Sequence, residues 1–414
     1  MPVDATTPRV SGATLFTDEY LQNSHEVLAL LRADGPVHRA RTANGLHAWV
    51  VTRYDDARAA LADDVGLLKN PEGLTAAIRA NLDDPERGLT FSADIAHHML
   101  NSDGADHARL RGLVGAVFTA ERIERLRPGI IRIADELLDA MAGKRRVDLI
   151  DEYALLLPVA VICELLGVPR QDRDRFRSWS NSILGAADPD ATRDASIALA
   201  AYLVQLIRGK AAMPGEDLLS ALLTAGEEQD RLSEIELISM VFLLLVAGHE
   251  TAGNLIGNGV LALLREPGQL AALRADPSLL PRAVEELLRF DGPVAMTTLR
   301  YTAKPVTIGG VDIPRGEIVF IALTSANRDG ARFTDPDRLD ITRPVSEHIA
   351  FGHGMHRCLG APLARIEGEV AIGRLLARFP ELRLDARDGE IRWRRSTLMH
   401  GLHALPVAPG APAT

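Results

Sequence analysis

Cysteine is nearly absent from this chain: its 414 residues include only Cys163 and Cys358, far apart in sequence. Two such thiols supply no disulfide framework and no Cys-x-x-Cys clamp, so a reducing cytoplasm is the expected setting. Aromatic side chains make up 4% of the chain, too few to suggest an aromatic cage for a ligand. Positive charge is not in excess either. The net charge of −10, with both signs interspersed, gives no case for nucleic-acid binding. No apolar run reaches the roughly 18 residues of a membrane span, because the best stretch, Ile238 to Gly248, stops at His249 and Glu250. Residues 1–12 show no basic-then-apolar leader pattern, and no internal repeat or long low-complexity linker is visible. What remains is 47% apolar residues at a mean hydropathy of +0.03, the composition of a soluble globular protein with a large core. A single domain over 1–414 is expected, monomeric, with loose ends at 1–12 and 407–414.

Helical periodicity dominates. It predicts helices over Asp18–Ala33, Tyr54–Ala62, Asp103–Phe118, Ala120–Ala142, Asp151–Leu166, Arg170–Leu184, Asp190–Lys210 and Glu216–Ala225. Strand-like runs cluster at His47–Thr52 and within Leu299–Leu323, where Gly309-Gly310 and Pro314-Arg315-Gly316 mark turns. The fold class is therefore mainly α with small β-sheets. Residues 63–102 form the least regular internal stretch, and long irregular loops are often functional.

One predicted helix stands apart. Ser233-Glu234-Ile235-Glu236 reads as a capping box, and the pattern runs to about Leu264 before Pro267. Its flanks are apolar, yet its middle reads Ala247-Gly248-His249-Glu250-Thr251-Ala252-Gly253. A glycine inside a helix costs about 1 kcal/mol against alanine, so small and polar residues here suggest a ligand; close helix packing is the plainer account. The second feature is Phe351-Gly352-His353-Gly354-Met355-His356-Arg357-Cys358-Leu359-Gly360. Its glycines permit a tight loop, and Pro362 fits the first turn of a following helix. The thiol thus lies at a helix N-terminus, which favours a thiolate able to bind a soft metal. A buried structural cysteine and a zinc site of His353, His356 and Cys358 are the alternatives.

Taken together, these segments resemble the cytochrome P-450 family of haem-thiolate monooxygenases in its soluble bacterial form. The Cys358 loop is similar to the family's haem-binding signature, and Ala247-Gly248-His249-Glu250-Thr251 to its oxygen-activation motif. Glu286-Leu287-Leu288-Arg289 matches the Glu-x-x-Arg pair, which Arg343 would complete beyond Phe333-Thr334-Asp335-Pro336-Asp337. His107-Ala108-Arg109-Leu110-Arg111 looks like the helix that meets the haem propionates. Two departures occur: Ala252 stands where many relatives have a second threonine, and Gly104-Ala105 where a Pro-Pro is usual.

The resemblance implies haem b between the long central helix and the Cys loop. Cys358 would be the axial metal ligand, whose electron donation favours O–O cleavage. Ala247, Gly248, Phe351 and Gly360 would border the macrocycle. His107, Arg111, Arg300 and His356 would bind its propionates through charge-assisted bonds, though any could instead be a surface ion pair. Glu250 and Thr251 would deliver protons to dioxygen, the plainer reading being a solvated Glu and a Thr bonded back to its own helix. His249 is read as a hydrogen-bonded helix residue. The substrate pocket would draw on residues 75–100, including Ile95, on the loop between Ser180 and Ala195, and on Leu243, Ala247, Val294, Ala295, Met296, Thr297, Leu398 and Met399. That lining is apolar and small and suits a mid-sized apolar molecule, by analogy a polyketide, macrolide or terpenoid. With no redox module fused, ferredoxin and ferredoxin reductase are the expected partners, docking near Arg109, Arg357 and Arg365. A peroxide-driven peroxygenase and a haem-based gas sensor are the competing functions.

Overall fold

The computed structural model describes residues 15–85, 96–185, 189–226, 231–344, 347–387 and 389–413. The capping box forms as expected: Ser233 Oγ accepts from the N–H of Glu236, whose carboxylate accepts from the N–H of Ser233. From it runs a helix over Glu234–Arg265, 32 residues and so about 48 Å long. By length and composition it could cross a membrane, but here it is the axis of the fold. It packs against the helices Leu156–Leu165, Pro189–Ala212, Leu280–Asp291 and Ala361–Arg378, around one large core that includes Met240, Leu255, Leu287 and Ile372.

Backbone chemistry explains where the predicted helices break. The run at Ala120–Ala142 divides into Ala120–Glu124 and Arg127–Met141, because Pro128 supplies no N–H and starts a new first turn. Residues Ile150–Ala154 form a wide π turn before Leu156–Leu165. Against this turn the central helix carries glycine: a Cβ on Gly253 would sit 3.0 Å from the Ala154 carbonyl oxygen, and one on Gly257 2.5 Å from Ile150 Cδ1. The irregular stretch contains a helix the sequence pattern did not reveal, Pro71–Ala80, capped by Asn70.

A five-stranded sheet runs Val37–Arg41, His47–Val51, Ile318–Ile321, Arg300–Thr302, Leu67–Leu68. Its first pair is antiparallel, with Val37 opposite Val51, whereas His47–Val51 runs parallel to Ile318–Ile321 with Val50 opposite Phe320. The C-terminal end is not loose from residue 407. Pro406–Ala408 is the middle strand between Val147–Asp148 and Arg383–Leu384, Val407 is fully buried, and the Ala413 N–H donates to the Arg378 carbonyl. Expectations for residues 1–12 lie outside the described residues.

Candidate active site

The loop before the helix Ala361–Arg378 is shaped by two left-handed glycines, Gly352 (φ 71°) and Gly354 (φ 72°). At Gly354 a Cβ would come within 2.7 Å of the Leu61 carbonyl oxygen, so no larger residue fits. The Cys358 N–H donates to the Phe351 carbonyl at 2.8 Å, closing the loop, and Arg365 lies over the Phe351 ring at 4.6 Å. Gly360 caps the helix without a positive φ. Cys358 is an exposed residue whose thiol is nonetheless surrounded closely enough by protein for burial to act on it, the situation of a group bordering an interior space. Burial pushes its thiol up; the N–H groups of Gly360 and Ala361 and the charges of Arg111 and Arg357 oppose this without overcoming it. A metal cation at the sulfur supplies what they lack, since a coordinating thiol is deprotonated outright.

His107, Arg300 and His356 gather around Asp103, and Arg111 borders the same loop. His107 and His356 meet edge to face at 4.5 Å, His356 Nε2 lies 3.7 Å from Asp103 Oδ1, and Arg111 donates to the Arg357 carbonyl at 2.7 Å. Arg300 is 3% exposed and bonds the Leu67 carbonyl at 3.2 Å. Its Nε and His356 Nε2 are buried without hydrogen-bond partners. Burial holds His107 down at about 4, with His356 and Arg111 adding to the effect. Asp103 is held down at about 2: burial opposes its ionisation, but His356 and the N–H groups of Lys69 and Asn70 outweigh it. With the histidines held neutral, the pocket keeps buried donors, Arg300 Nε and His356 Nε2, that no protein acceptor satisfies. None of these groups is a surface ion pair. Lys69 and His98, which sequence reasoning missed, belong to the same pocket and are both buried. The only hint of Lys69 in the sequence is a lone cation after the apolar Gly66-Leu67-Leu68.

In the central helix, Ala247 is exposed and Thr251 partly so, although the helix around them is buried. The two lie one turn apart on a face that borders open space. Glu250 is 6% exposed rather than solvated. Its Oε1 sits 3.5 Å from Arg394 Nη1, and its Oε2 is buried with no partner. Burial raises its pKa and Arg394 acts against that. Thr251 Oγ1 does donate to the Ala247 carbonyl at 2.9 Å, the plainer arrangement anticipated above. At Gly248 a Cβ would meet Ile162 of the neighbouring helix at 3.3 Å, so close helix packing, the plainer account, also calls for a glycine there. His249 bonds the Leu245 carbonyl at 2.9 Å, as expected.

The scaffold behind the loop is an ion network. Arg289, 0% exposed, donates to both oxygens of Glu286 at 2.7 and 2.8 Å, and to the carbonyls of Asn327 and Pro336 at 3.0 and 2.8 Å. Arg343 adds a 3.1 Å bond to Glu286. Two of the three arginines expected to meet a redox partner are already engaged. Arg109 pairs with Glu236, and Arg365 holds Glu285 at 2.5 and 2.9 Å.

Of the expected pocket residues, Val294, Ala295 and Met296 are tied to Leu398 and Met399. The Ala295 N–H donates to the Leu398 carbonyl at 2.7 Å, and Val294 bridges Met399. Thr297 is held to Ile321. Met296, however, is 0% exposed and packs into a separate apolar cluster with Ala295 and Phe320, so its side chain does not line an open pocket. Leu243 belongs to the main core, and Ile95 lies outside the described residues. Among the described residues, His25, Asp291 and His400 are the one trio of possible metal ligands with donor atoms within 4.8 Å, so the zinc alternative at His353, His356 and Cys358 does not assemble. In that trio both histidine Nε2 atoms meet Asp291 Oδ1, at 2.7 and 2.8 Å, which fixes the segment carrying Leu398 and Met399.

An exposed thiol residue at a helix N-terminus, beside a pocket of buried basic side chains with unpartnered donors, fits a group bearing a thiolate-seeking metal and two carboxylates. Haem is that group. The family model for cytochrome P450 matches residues 190–393. Cytochrome P450 107B1 of Saccharopolyspora erythraea is 55% identical over 98% of this chain and 100% of its own length. The 6-deoxyerythronolide B hydroxylase of the same organism is 42% identical over 95% and 98%. Among solved structures, the tirandamycin C-bound P450 monooxygenase TamI superposes with a TM-score of 0.89 at 46% identity, covering 95% of this chain and 99% of that one. The chain belongs to the cytochrome P450 family. It is a haem-binding monooxygenase.

Proposed function

We propose that this enzyme inserts one oxygen atom from O2 into a mid-sized apolar secondary metabolite of polyketide, macrolide or terpenoid type, in the cytoplasm, with electrons from a ferredoxin and its reductase. The observation that carries the reading is the pairing of an accessible, protein-ringed Cys358 with a central helix whose open face holds Ala247 and Thr251 beside the buried Glu250. Substrate hydroxylation by the 6-deoxyerythronolide B relative and the tirandamycin C in the TamI structure support the substrate class.

When bound, haem supplies the redox chemistry that activates dioxygen. Cys358 would hold its iron, with the N–H groups of Gly360 and Ala361 tempering the sulfur charge. Arg300, His356, His107 and Arg111 would bind the propionates. Glu250 holds a proton more readily than a surface glutamate because it is desolvated, and Arg394 is the group through which it meets the half-exposed C-terminal segment. The Thr251 hydroxyl has committed its proton to the Ala247 carbonyl. Towards the open face it therefore acts as an acceptor that can position a water or a protonated oxygen. Donation requires that back-bond to open.

Ferredoxin docking falls to the cations left free. Arg58 and Arg357 line a cleft of about 290 Å³ with Glu347, His353 and Phe351, and among the described residues neither arginine is paired with a carboxylate. An acidic partner would meet them first. The reading is tested by the carbon monoxide spectrum of the reduced protein, followed by a screen for compounds that shift the haem spin state. A strongly red-shifted Soret band that Cys358→Ser abolishes is expected. An unshifted band sinks the thiolate assignment, and turnover with peroxide but not with a ferredoxin chain sinks the electron route.

A further inference from the structure

The pocket around Arg300 holds more positive charge than its four anticipated members explain. Lys69 is 2% exposed. Its ammonium donates to Thr298 Oγ1, and among the described residues it is paired with no carboxylate. Asp103 accepts from the Lys69 backbone N–H at 2.9 Å and acts on the ammonium through its charge, without an ion pair among the described residues. Burial, reinforced by Arg300 and opposed by Asp103, drives the ammonium down to about 7. Lys69 is close enough to His98, His107 and His356 to depress all three. His98 is 6% exposed and its Nδ1 has no partner. An ammonium buried beside Arg300 and bonded only to a hydroxyl is unfavourable unless an anion joins it.

We propose that the Lys69 ammonium is a direct partner of a haem propionate, a further donor beside Arg300 and His356. The proposal rests on the haem assignment. Four chain segments converge to build this site: the short strand Leu67–Leu68 and the residue after it, the stretch from His98 to Arg111, the strand Arg300–Thr302, and the Cys loop at His356. Thr298 holds the ammonium until the carboxylate arrives. The added charge-assisted bond retains the haem and stabilises the anionic propionate.

The test uses ferric holoenzyme and follows transfer of haem to excess apomyoglobin, alongside the propionate bending band in resonance Raman spectra. Lys69→Met is expected to lose haem roughly 10- to 100-fold faster, as a lost charge-assisted bond predicts, and to shift the band. Lys69→Arg should restore retention, and Thr298→Val should lose haem at the parent rate. A Lys69→Met enzyme with parental transfer rate and band overturns the proposal. So does a Thr298→Val enzyme that loses haem as fast as Lys69→Met, for then the hydroxyl bond is what matters. If Lys69→Met does not accumulate, the Raman band of Lys69→Arg decides: a displaced band supports contact, and an unchanged one excludes it. Absence of haem from the parent protein would defeat the cofactor assignment separately.

Discussion

Replacing Arg289 by methionine removes a fully buried cation with bonds on every side. The guanidinium makes two bonds to Glu286 and reaches the carbonyls of Asn327 and Pro336, all between 2.7 and 3.0 Å. Glu286 would keep the Arg343 bond at 3.1 Å and the Asp340 N–H at 3.1 Å, but at 3% exposure it gains no water. Breaking a buried pair on one side costs about 3–5 kcal/mol, and each stranded carbonyl adds about 1 kcal/mol or more. The expected loss is therefore about 5 kcal/mol. Unfolding entropy of about 2.1 cal/mol/K per residue gives about 0.9 kcal/mol/K for a chain of this length, so the midpoint should fall by roughly 5 °C. Arg343→Ala is the internal control. Its side chain is 14% exposed and makes one bond to Glu286, while the carbonyls of Thr334, Asp335 and Arg338 that it also reaches are exposed and can turn to water, so about 1–2 kcal/mol and 1–2 °C are expected. Far-UV circular dichroism at one scan rate, with haem content of each purified protein, measures both. Equal shifts for the two variants, or less than about 2 °C for Arg289→Met, would refute the network account.

Glu250→Gln keeps the shape of the side chain but cannot carry a proton. Turnover should fall by roughly 10- to 100-fold with a larger solvent isotope effect, and an unchanged isotope effect removes Glu250 from proton delivery. Gly354→Ala forces a Cβ to 2.7 Å from the Leu61 carbonyl oxygen at a positive φ. It should cost about 1–3 kcal/mol and lower haem occupancy, and a stable, fully loaded variant contradicts the loop geometry. Burial pushes His25 down to about 4 from its ordinary 6.5, against the pull of Asp291. A depressed histidine takes up its proton more readily unfolded, so stability is full above pH 6.5 and is lost as pH falls towards 4. His25→Gln should flatten that slope in thermal melts; an equal slope assigns the acid sensitivity elsewhere. Arg357→Ala with Arg58→Ala should raise the apparent KM for ferredoxin several-fold at low salt and little at high salt. An unchanged KM moves the docking face.

Features written in local sequence were legible. The capping box fixed the start of the central helix to the residue, since Ser233 and Glu236 satisfy each other's backbone within one turn. The spacing of Glu286 and Arg289 placed both on one helix face, and the structure pairs them. What could not be read depends on distant chain segments. The packing partner of Gly248, Ile162, lies 86 positions away, so the sequence alone could not show that contact. Lys69 drew no attention because its meaning comes from Arg300 and His356, brought to it by a sheet edge and a loop. Arg109 and Arg365 looked free for a partner, yet each has a carboxylate from another helix. Local pattern cannot show which charges are already balanced.

Charge balance also separates the two halves of the candidate site. On the propionate side, Arg300 Nε and His356 Nε2 are buried without partners and the Lys69 ammonium meets only a hydroxyl, donors that the carboxylates of a bound haem would satisfy. On the oxygen side, Glu250 is buried with one oxygen unpartnered and the other only 3.5 Å from Arg394. A carboxylate so loosely held is poor scaffolding compared with Glu286, whose two oxygens receive four bonds. The same residue type thus plays opposite parts. Full satisfaction locks Glu286 in place as structure, and incomplete satisfaction leaves Glu250 able to change protonation without dismantling the fold around it.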